Sequence, residues 1–322
     1  MSLLGIDLGG TKLAAALFSE EGKILLREKY SLEQRKGCEV GKLIGETIIS
    51  MMGSAEDAGD KVRSTGISVP GISNSGTGTV WAPNIPGWSD YPLLAEVKAI
   101  TGKVPVTIDS DRACSVLGER WQGNARGCRN VVFIAVGTGI GAGILINDEI
   151  LRGSNDIAGA TGWMALSGPF ESKYTGIGCF EYYASGEGIA RTARELLAEE
   201  AGYSGELRHK PSDKITSYDV FSAYENGDKL SVRVIGKCIE FWGMAAANFV
   251  SLFNPEKIIF GGGIFGPARK FLPLIRKEAE KWAQPISITK VAFDVSQLGG
   301  DAGIYGAAFL ALRKVDQHSE LN

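Results

Sequence analysis

The run Asp7-Leu8-Gly9-Gly10-Thr11-Lys12 brings a carboxylate, two glycines, a hydroxyl and an ammonium close together in the chain. Such a set suits a polyanion. Backbone N–H groups of a glycine turn can converge on phosphate oxygens, Thr11 adds a hydroxyl, Lys12 adds a cation, and Asp7 can hold the water shell of a Mg²⁺ ion. Leu3, Leu4, Ile6 and Leu8 ahead of the turn form an apolar run suited to a buried strand, which Gly9-Gly10 ends. Taken alone, the stretch fits an ordinary glycine hairpin equally well. A second stretch, Val131 to Ile146 (VVFIAVGTGIGAGILI), repeats the plan: an apolar strand, a turn with Gly137, Thr138 and Gly139, and another apolar strand. A polar turn and a third hydrophobic segment follow in both, Ser19 to Leu25 and Asn147 to Leu151. This internal duplication predicts two similar α/β domains around a nucleotide cleft.

Transfer of a phosphoryl group to an alcohol also needs a base near the hydroxyl and closure that keeps water out. Val104 to Ile108 is predicted to be a buried strand, and Asp109-Ser110-Asp111 opens the helix that follows. Asp111 is the candidate base; from local sequence alone, a helix-capping or first-turn acid explains it as well. Gly261-Gly262-Gly263 follows the predicted strand Lys257 to Phe260 and fits either a tight strand-to-helix connection or a further nucleotide turn.

The elements that must position these residues are legible from periodicity. Lys23 to Tyr30 is expected as a third antiparallel strand, and Val40, Leu43, Ile44, Thr47, Ile48 and Met51 recur at helical spacing. Gly66 to Val69 reads as a buried strand ending in Pro70-Gly71. Glu187 to Ala201, Ser217 to Glu225 and Lys229 to Phe253 read as helices, the last stopped by Asn254-Pro255. Gly153 to Gly178 shows little periodicity, as a loop over an active site would. A final helix, Asp301 to Leu312, is expected to pack back on the first domain.

A length of 322 residues with 44% hydrophobic content allows two domains with proper cores. The net charge of −3 is spread without blocks, and no helix-turn-helix or basic arm precedes the first strand, so no nucleic-acid partner is expected. No signal or membrane-spanning segment is visible, and the longest apolar stretch, Phe241 to Phe253, is too short to cross a bilayer. Five cysteines at irregular spacing fit a reducing cytoplasm.

Nearly end to end, the chain resembles a sugar kinase of the ROK family (repressors, open reading frames, kinases), glucokinase-like and without the family's zinc motif. The resemblance rests on DLGGTK (Asp7 to Lys12), VPGI (Val69 to Ile72), PNIPGW (Pro83 to Trp88), Ser110-Asp111, GTGIGAG (Gly137 to Gly143), GCFEYYASG (Gly178 to Gly186) and the triple glycine. It implies two actin-like ATPase (ribonuclease H-like) domains, 1–112 plus 300–322 and 113–299, with a nucleotide and sugar cleft between them. It also implies an ATP- and Mg²⁺-dependent transfer of the γ-phosphoryl group to a hydroxyl of a hexose or hexose-like substrate, and a homodimer. Asp111 matches the family's catalytic aspartate; Asp109 is the rival carboxylate and is expected to point away. Gly137, Thr138 and Gly139 match the second phosphate turn, and Gly261, Gly262 and Gly263 the adenosine side.

The sugar side departs from the pattern. Asn84 and Glu181 stand at sugar-contact positions and Gly71 in a loop that approaches the sugar. Ser110, Ala160 and Trp163 stand where members usually carry Asn, Glu and His. Of the three usual zinc cysteines only Cys179 is present, with Ser172 and Tyr174 at the other two positions, and His209 and His318 lie elsewhere, so no structural zinc is expected. Trp81 and Trp88 flank Asn84; packing is expected for Trp81, and packing or sugar stacking for Trp88. The less polar pocket admits an amino sugar, a substituted hexose or a cyclitol. Trp163 could equally fill volume left by the missing zinc-loop contacts. It also admits a non-catalytic sugar- or nucleotide-binding or regulatory protein of the same fold. A carboxylate kinase does not explain PNIPGW or GCFEYYASG.

Overall fold

A computed structural model describes residues 1–319; residues 320–322 and the side chains of Asp316, Gln317, His318 and Ser319 lie outside the described part. The strands and helices, in chain order, begin with β1 (Ser2–Leu8), β2 (Lys12–Phe18), β3 (Ile24–Ser31), α1 (Cys38–Asp57) and β4 (Val62–Val69). Then come β5 (Ile72–Ser73), β6 (Val80–Trp81), α2 (Leu93–Thr101), β7 (Val106–Ser110) and α3 (Asp111–Gln122). The duplicate begins with β8 (Val131–Val136), β9 (Ile140–Ile146) and β10 (Glu149–Ile150). It continues through α4 (Cys179–Ala184), α5 (Gly186–Glu199), α6 (Ser217–Glu225) and α7 (Lys229–Phe253). β11 (Lys257–Gly261), α8 (Leu272–Trp282), α9 (Pro285–Ile288) and β12 (Ala292–Val295) complete it, and α10 (Ala302–Ser319) ends the chain.

The chain divides into two compact units, one of residues 1–127, 150–158 and 297 onward, the other of 128–149 and 159–296. Each is built on a five-stranded sheet, ordered β3-β2-β1-β4-β7 in the first and β10-β9-β8-β11-β12 in the second. Strand for strand the two orders correspond, so the duplication seen in the sequence is a duplication of topology. The first unit extends past residue 112, where the resemblance places the boundary, because α3 packs on α10 within it.

Period-two alternation sets the faces of the first sheet. Leu4, Ile6 and Leu8 of β1 and Leu13, Ala15 and Leu17 of β2 are buried with α1, while Leu3, Ala14, Ala16 and Phe18 pack on Ile304, Ala308 and Ala311 of α10. The expected return of the last helix onto the first unit is thus observed. In the second unit, α7 runs over the predicted Lys229 to Phe253 and buries Leu230, Val234, Cys238, Phe241, Ala245 and Phe249 in the core. Pro267 opens a short 3₁₀ turn, and the α-helix itself begins at Leu272. Among the described residues no helix is long and apolar enough to cross a membrane.

Candidate active site

The candidate residues form two groups, one in each unit. In the first, β1, β4 and β7 run parallel, so their C-terminal ends lie side by side, where open α/β sheets place ligands. Register pairs Asp7 with Ser68, Ser68 with Asp109, and Val69 with Ser110. Asp7 accepts a hydrogen bond from the Ser68 hydroxyl on Oδ1 at 2.7 Å. Burial raises its pKa; the Ser68 bond and the Lys12 charge oppose that shift. A half-buried carboxylate held this way suits a cation, and no hydrogen bond or ion pair involves its Oδ2 among the described contacts. The β1–β2 turn is closed by Gly9 N–H donating to the Lys12 carbonyl at 2.8 Å, and Thr11 and Lys12 are exposed beside it. Asn84, far along the chain, lies against this turn: a Cβ on Gly10 would come within 2.8 Å of its Nδ2.

Ser110 is the N-cap of α3, its hydroxyl accepting from Ala113 N–H at 3.3 Å, so Asp111 falls in the first helical turn. The Asp111 carboxylate accepts its neighbour's Arg112 N–H at 2.8 Å, and its side chain is exposed. At longer range it is crowded by protein. That desolvation raises its pKa to about 6 against a lowering by Arg112, with a further rise from Asp7. Exposure governs its access to a substrate, and crowding governs its basicity. Arg112 also donates to the Gly71 carbonyl at 3.3 Å, which ties the Pro70-Gly71 loop beside Asp111.

Asp109 is differently employed. It is buried, accepts Ser110 N–H at 2.8 Å and is ion-paired with Arg152 at 2.5 Å. Trp88 is fully buried, stacked on Tyr91 with ring centroids 4.4 Å apart, and donates from Nε1 to the Gly37 carbonyl. Trp81, expected to pack, is instead exposed on β6, in the two-residue hairpin with β5.

In the second unit, β8 and β11 are parallel and end in the two remaining glycine turns. Gly137 N–H donates to the Gly139 carbonyl at 2.9 Å. Gly262 has φ +86°, and a Cβ there would lie 2.3 Å from the Val136 carbonyl oxygen, so the two turns adjoin. Behind the first lies Glu181. Its Oε2 accepts Ile140 N–H at 2.6 Å, and a Cβ on Gly139 would come within 2.8 Å of the same oxygen. Burial raises the Glu181 pKa, opposed by the Ile140 N–H and by Arg191. Sequence reasoning placed Glu181 on the sugar; the contact with the glycine turn spans 41 positions and leaves no local signal.

Ala160 precedes a 3₁₀ turn, Thr161–Trp163, and Trp163 is 57% exposed, so it fills no internal volume. Ser172 and Tyr174 form another 3₁₀ turn, with Tyr174 buried against Tyr182 and Tyr183. Among the described residues no group of three or more His, Cys, Asp or Glu side chains is placed to hold a metal ion.

Comparison with known proteins agrees with this geometry. The chain belongs to the ROK family, whose profile matches residues 3–314. It is 33% identical to the glucokinase of Halalkalibacterium halodurans over 314 residues, 95% of this chain and 94% of that one. It superposes on the ROK hexokinase of Thermus thermophilus with a TM-score of 0.80 at 27% identity, covering 98% of this chain and 100% of the other. On a ROK family glucokinase of Streptomyces griseus in complex with glucose and AMPPNP the TM-score is 0.73 at 30% identity, over 97% and 100% of the two chains. The fold is the actin-like ATPase fold.

Proposed function

We propose that the protein is an ATP-dependent carbohydrate kinase that transfers the γ-phosphoryl group to a hydroxyl of a hexose or hexose-like substrate. The observation that carries this is Asp111, an accessible carboxylate with a pKa of about 6, beside Asp7 at the ends of parallel strands. The full-length likeness to glucokinases, one solved with glucose and an ATP analogue, supports it.

Near neutral pH Asp111 is mostly ionised and can take the proton of the substrate hydroxyl. The hydroxyl oxygen forms its bond to the γ-phosphorus as the bond to the β-phosphate oxygen breaks, and ADP leaves. We assign the phosphates to the turns Gly9 to Lys12 and Gly137 to Gly139, and the adenosine side to Gly261, Gly262 and Gly263. Asp7, a half-buried acid that raises the Asp111 pKa and forms no ion pair among the described contacts, fits a Mg²⁺ ion held through water. Bound there, the ion would neutralise triphosphate charge. Asn84, Gly71 and Ser110 are assigned to the sugar, with Ala160 and Trp163 forming a less polar end and Glu181 acting from behind the Gly139 turn. A cytoplasmic homodimer without structural zinc completes the assignment.

Ser110 spends its hydroxyl on a helix cap and Ala160 offers no polar group, which favours a second reading, a non-catalytic sugar- or nucleotide-binding or regulatory protein. The test is ADP release from MgATP across hexoses, amino and N-acyl hexoses and cyclitols. One compound raising turnover well above background supports the kinase and names its substrate class. A flat panel, with sugars still shifting thermal stability, moves the assignment to the second reading.

A further inference from the structure

Helix α4 is only six residues long, too short to be stable alone, yet it carries Glu181. Besides Trp242 Nε1 of α7, which donates to the Ala184 carbonyl, and Arg191 of α5, which donates to the Tyr182 carbonyl, a cluster with no role in the assignments above holds it. Tyr174, Tyr182 and Tyr183 meet with ring centroids 5.0 to 5.9 Å apart, and the Tyr174 and Tyr183 hydroxyls are 2.9 Å apart. Lys173 Nζ lies 5.3 to 5.5 Å from the centroids of all three rings and 3.0 Å from Glu171, which also accepts from the Tyr174 hydroxyl. From α7, Lys237 Nζ sits 3.7 Å from the Tyr183 centroid. One ammonium therefore joins the irregular loop to the two tyrosines that directly follow Glu181.

We propose that Lys173 is a positioning residue: through the three tyrosines it fixes α4, and α4 sets Glu181 against the Gly137 to Gly139 turn. The link is continuous, from Lys173 through Tyr182 and Tyr183 to Glu181 and then to Ile140 N–H, the first amide after the turn. Packing alone would hold the loop equally well with a neutral side chain; the contact of one charge with three ring faces would not survive that change. The kinetic part of the test rests on the proposed kinase activity.

Amide hydrogen exchange on the full chain, comparing wild type, Lys173→Met and Lys173→Arg, decides it. In Lys173→Met the Ile140 amide is expected to exchange about tenfold faster, and the KM for MgATP to rise several-fold with a smaller change in kcat. Lys173→Arg, which keeps charge over the rings, is expected to restore both. Faster exchange confined to residues 164–178, with Ile140 unchanged, would overturn the proposal and leave Lys173 holding only the loop. If Lys173→Met does not fold, Tyr174→Phe tests the same link through the lost hydroxyl contact, with the same two outcomes at Ile140. Should no sugar raise turnover in the wild type, the kinase assignment fails while the exchange result still decides this one.

Discussion

The two glycine turns occupy equivalent places, after β1 and after β8, in sheets of the same order, and each is closed by one backbone hydrogen bond. Their chemistry differs. The first turn is flanked by charge, with Asp7 before it and Lys12 after it, and Asp111 follows β7, the strand on the far side of β4 from β1. The second turn has no ionisable residue, and Glu181 stands behind it on a backbone amide. On the proposed assignment, duplication preserved the backbone cradle in both units and left the reactive groups in one. The first unit should therefore carry the chemistry, and the second should carry affinity for the nucleotide.

The strongest test of that division is Asp111→Asn. Loss of a general base is expected to cost roughly 10²- to 10⁴-fold in kcat with KM little changed. The wild-type rate should rise with pH through the Asp111 pKa, about 6, and that limb should vanish in the variant. A loss below tenfold would mean that the first unit does not hold the base.

Gly139→Ala probes the other side. Its Cβ would press on the Glu181 carboxylate, so that side chain must leave the Ile140 amide or the turn must shift, and the KM for MgATP is expected to rise about tenfold with kcat held within a few-fold. Because Glu181 is the obstacle, the added substitution Glu181→Ala should recover part of the loss, a coupling of about 0.5–3 kcal/mol in a double-mutant cycle. Additive losses would show that the two residues act separately. Asp109→Asn should divide the acids of the first unit. It breaks the Arg152 ion pair and is expected to lower stability by about 1–3 kcal/mol while leaving turnover per folded molecule within a few-fold of wild type. Chemical denaturation beside active-site-normalised rates would measure both; a loss of turnover equal to that of Asp111→Asn would erase the distinction.

Much of this division was legible in the chain. Asp7 to Lys12 and Gly137 to Gly139 announce themselves because an apolar strand, a glycine turn and a second strand are local features, and α7 because one face repeats over its whole length. The short α2 and β12 were not read, having too few residues for a periodicity to emerge. Glu181 against Gly139, Asn84 against Gly10 and Arg152 on Asp109 join residues distant in sequence, so only the folded chain brings them together. The loop from 153 to 178 lacked periodicity because its regular structure is two short 3₁₀ turns, the second of which, Ser172–Tyr174, packs in the tyrosine cluster.

The smallest expected effect separates cost from function. A carboxyl whose pKa is raised on folding binds its proton more tightly in the folded state. Its contribution to stability is then present below the unfolded value of 3.8 and is lost as pH rises through about 6. Asp111→Asn removes that loss, so the variant should melt slightly above wild type at pH 8, with the gain shrinking toward zero near pH 4. The exposed side chain keeps the difference to a few degrees at most. Thermal melts across that range test it: equal melting at pH 8 would mean the raised pKa is not built into the folded protein, and a rate limb near pH 6 would need another group. A variant that is more stable yet nearly inactive would show that the first unit bears an energetic cost for its base which the second unit, with only a backbone cradle, does not.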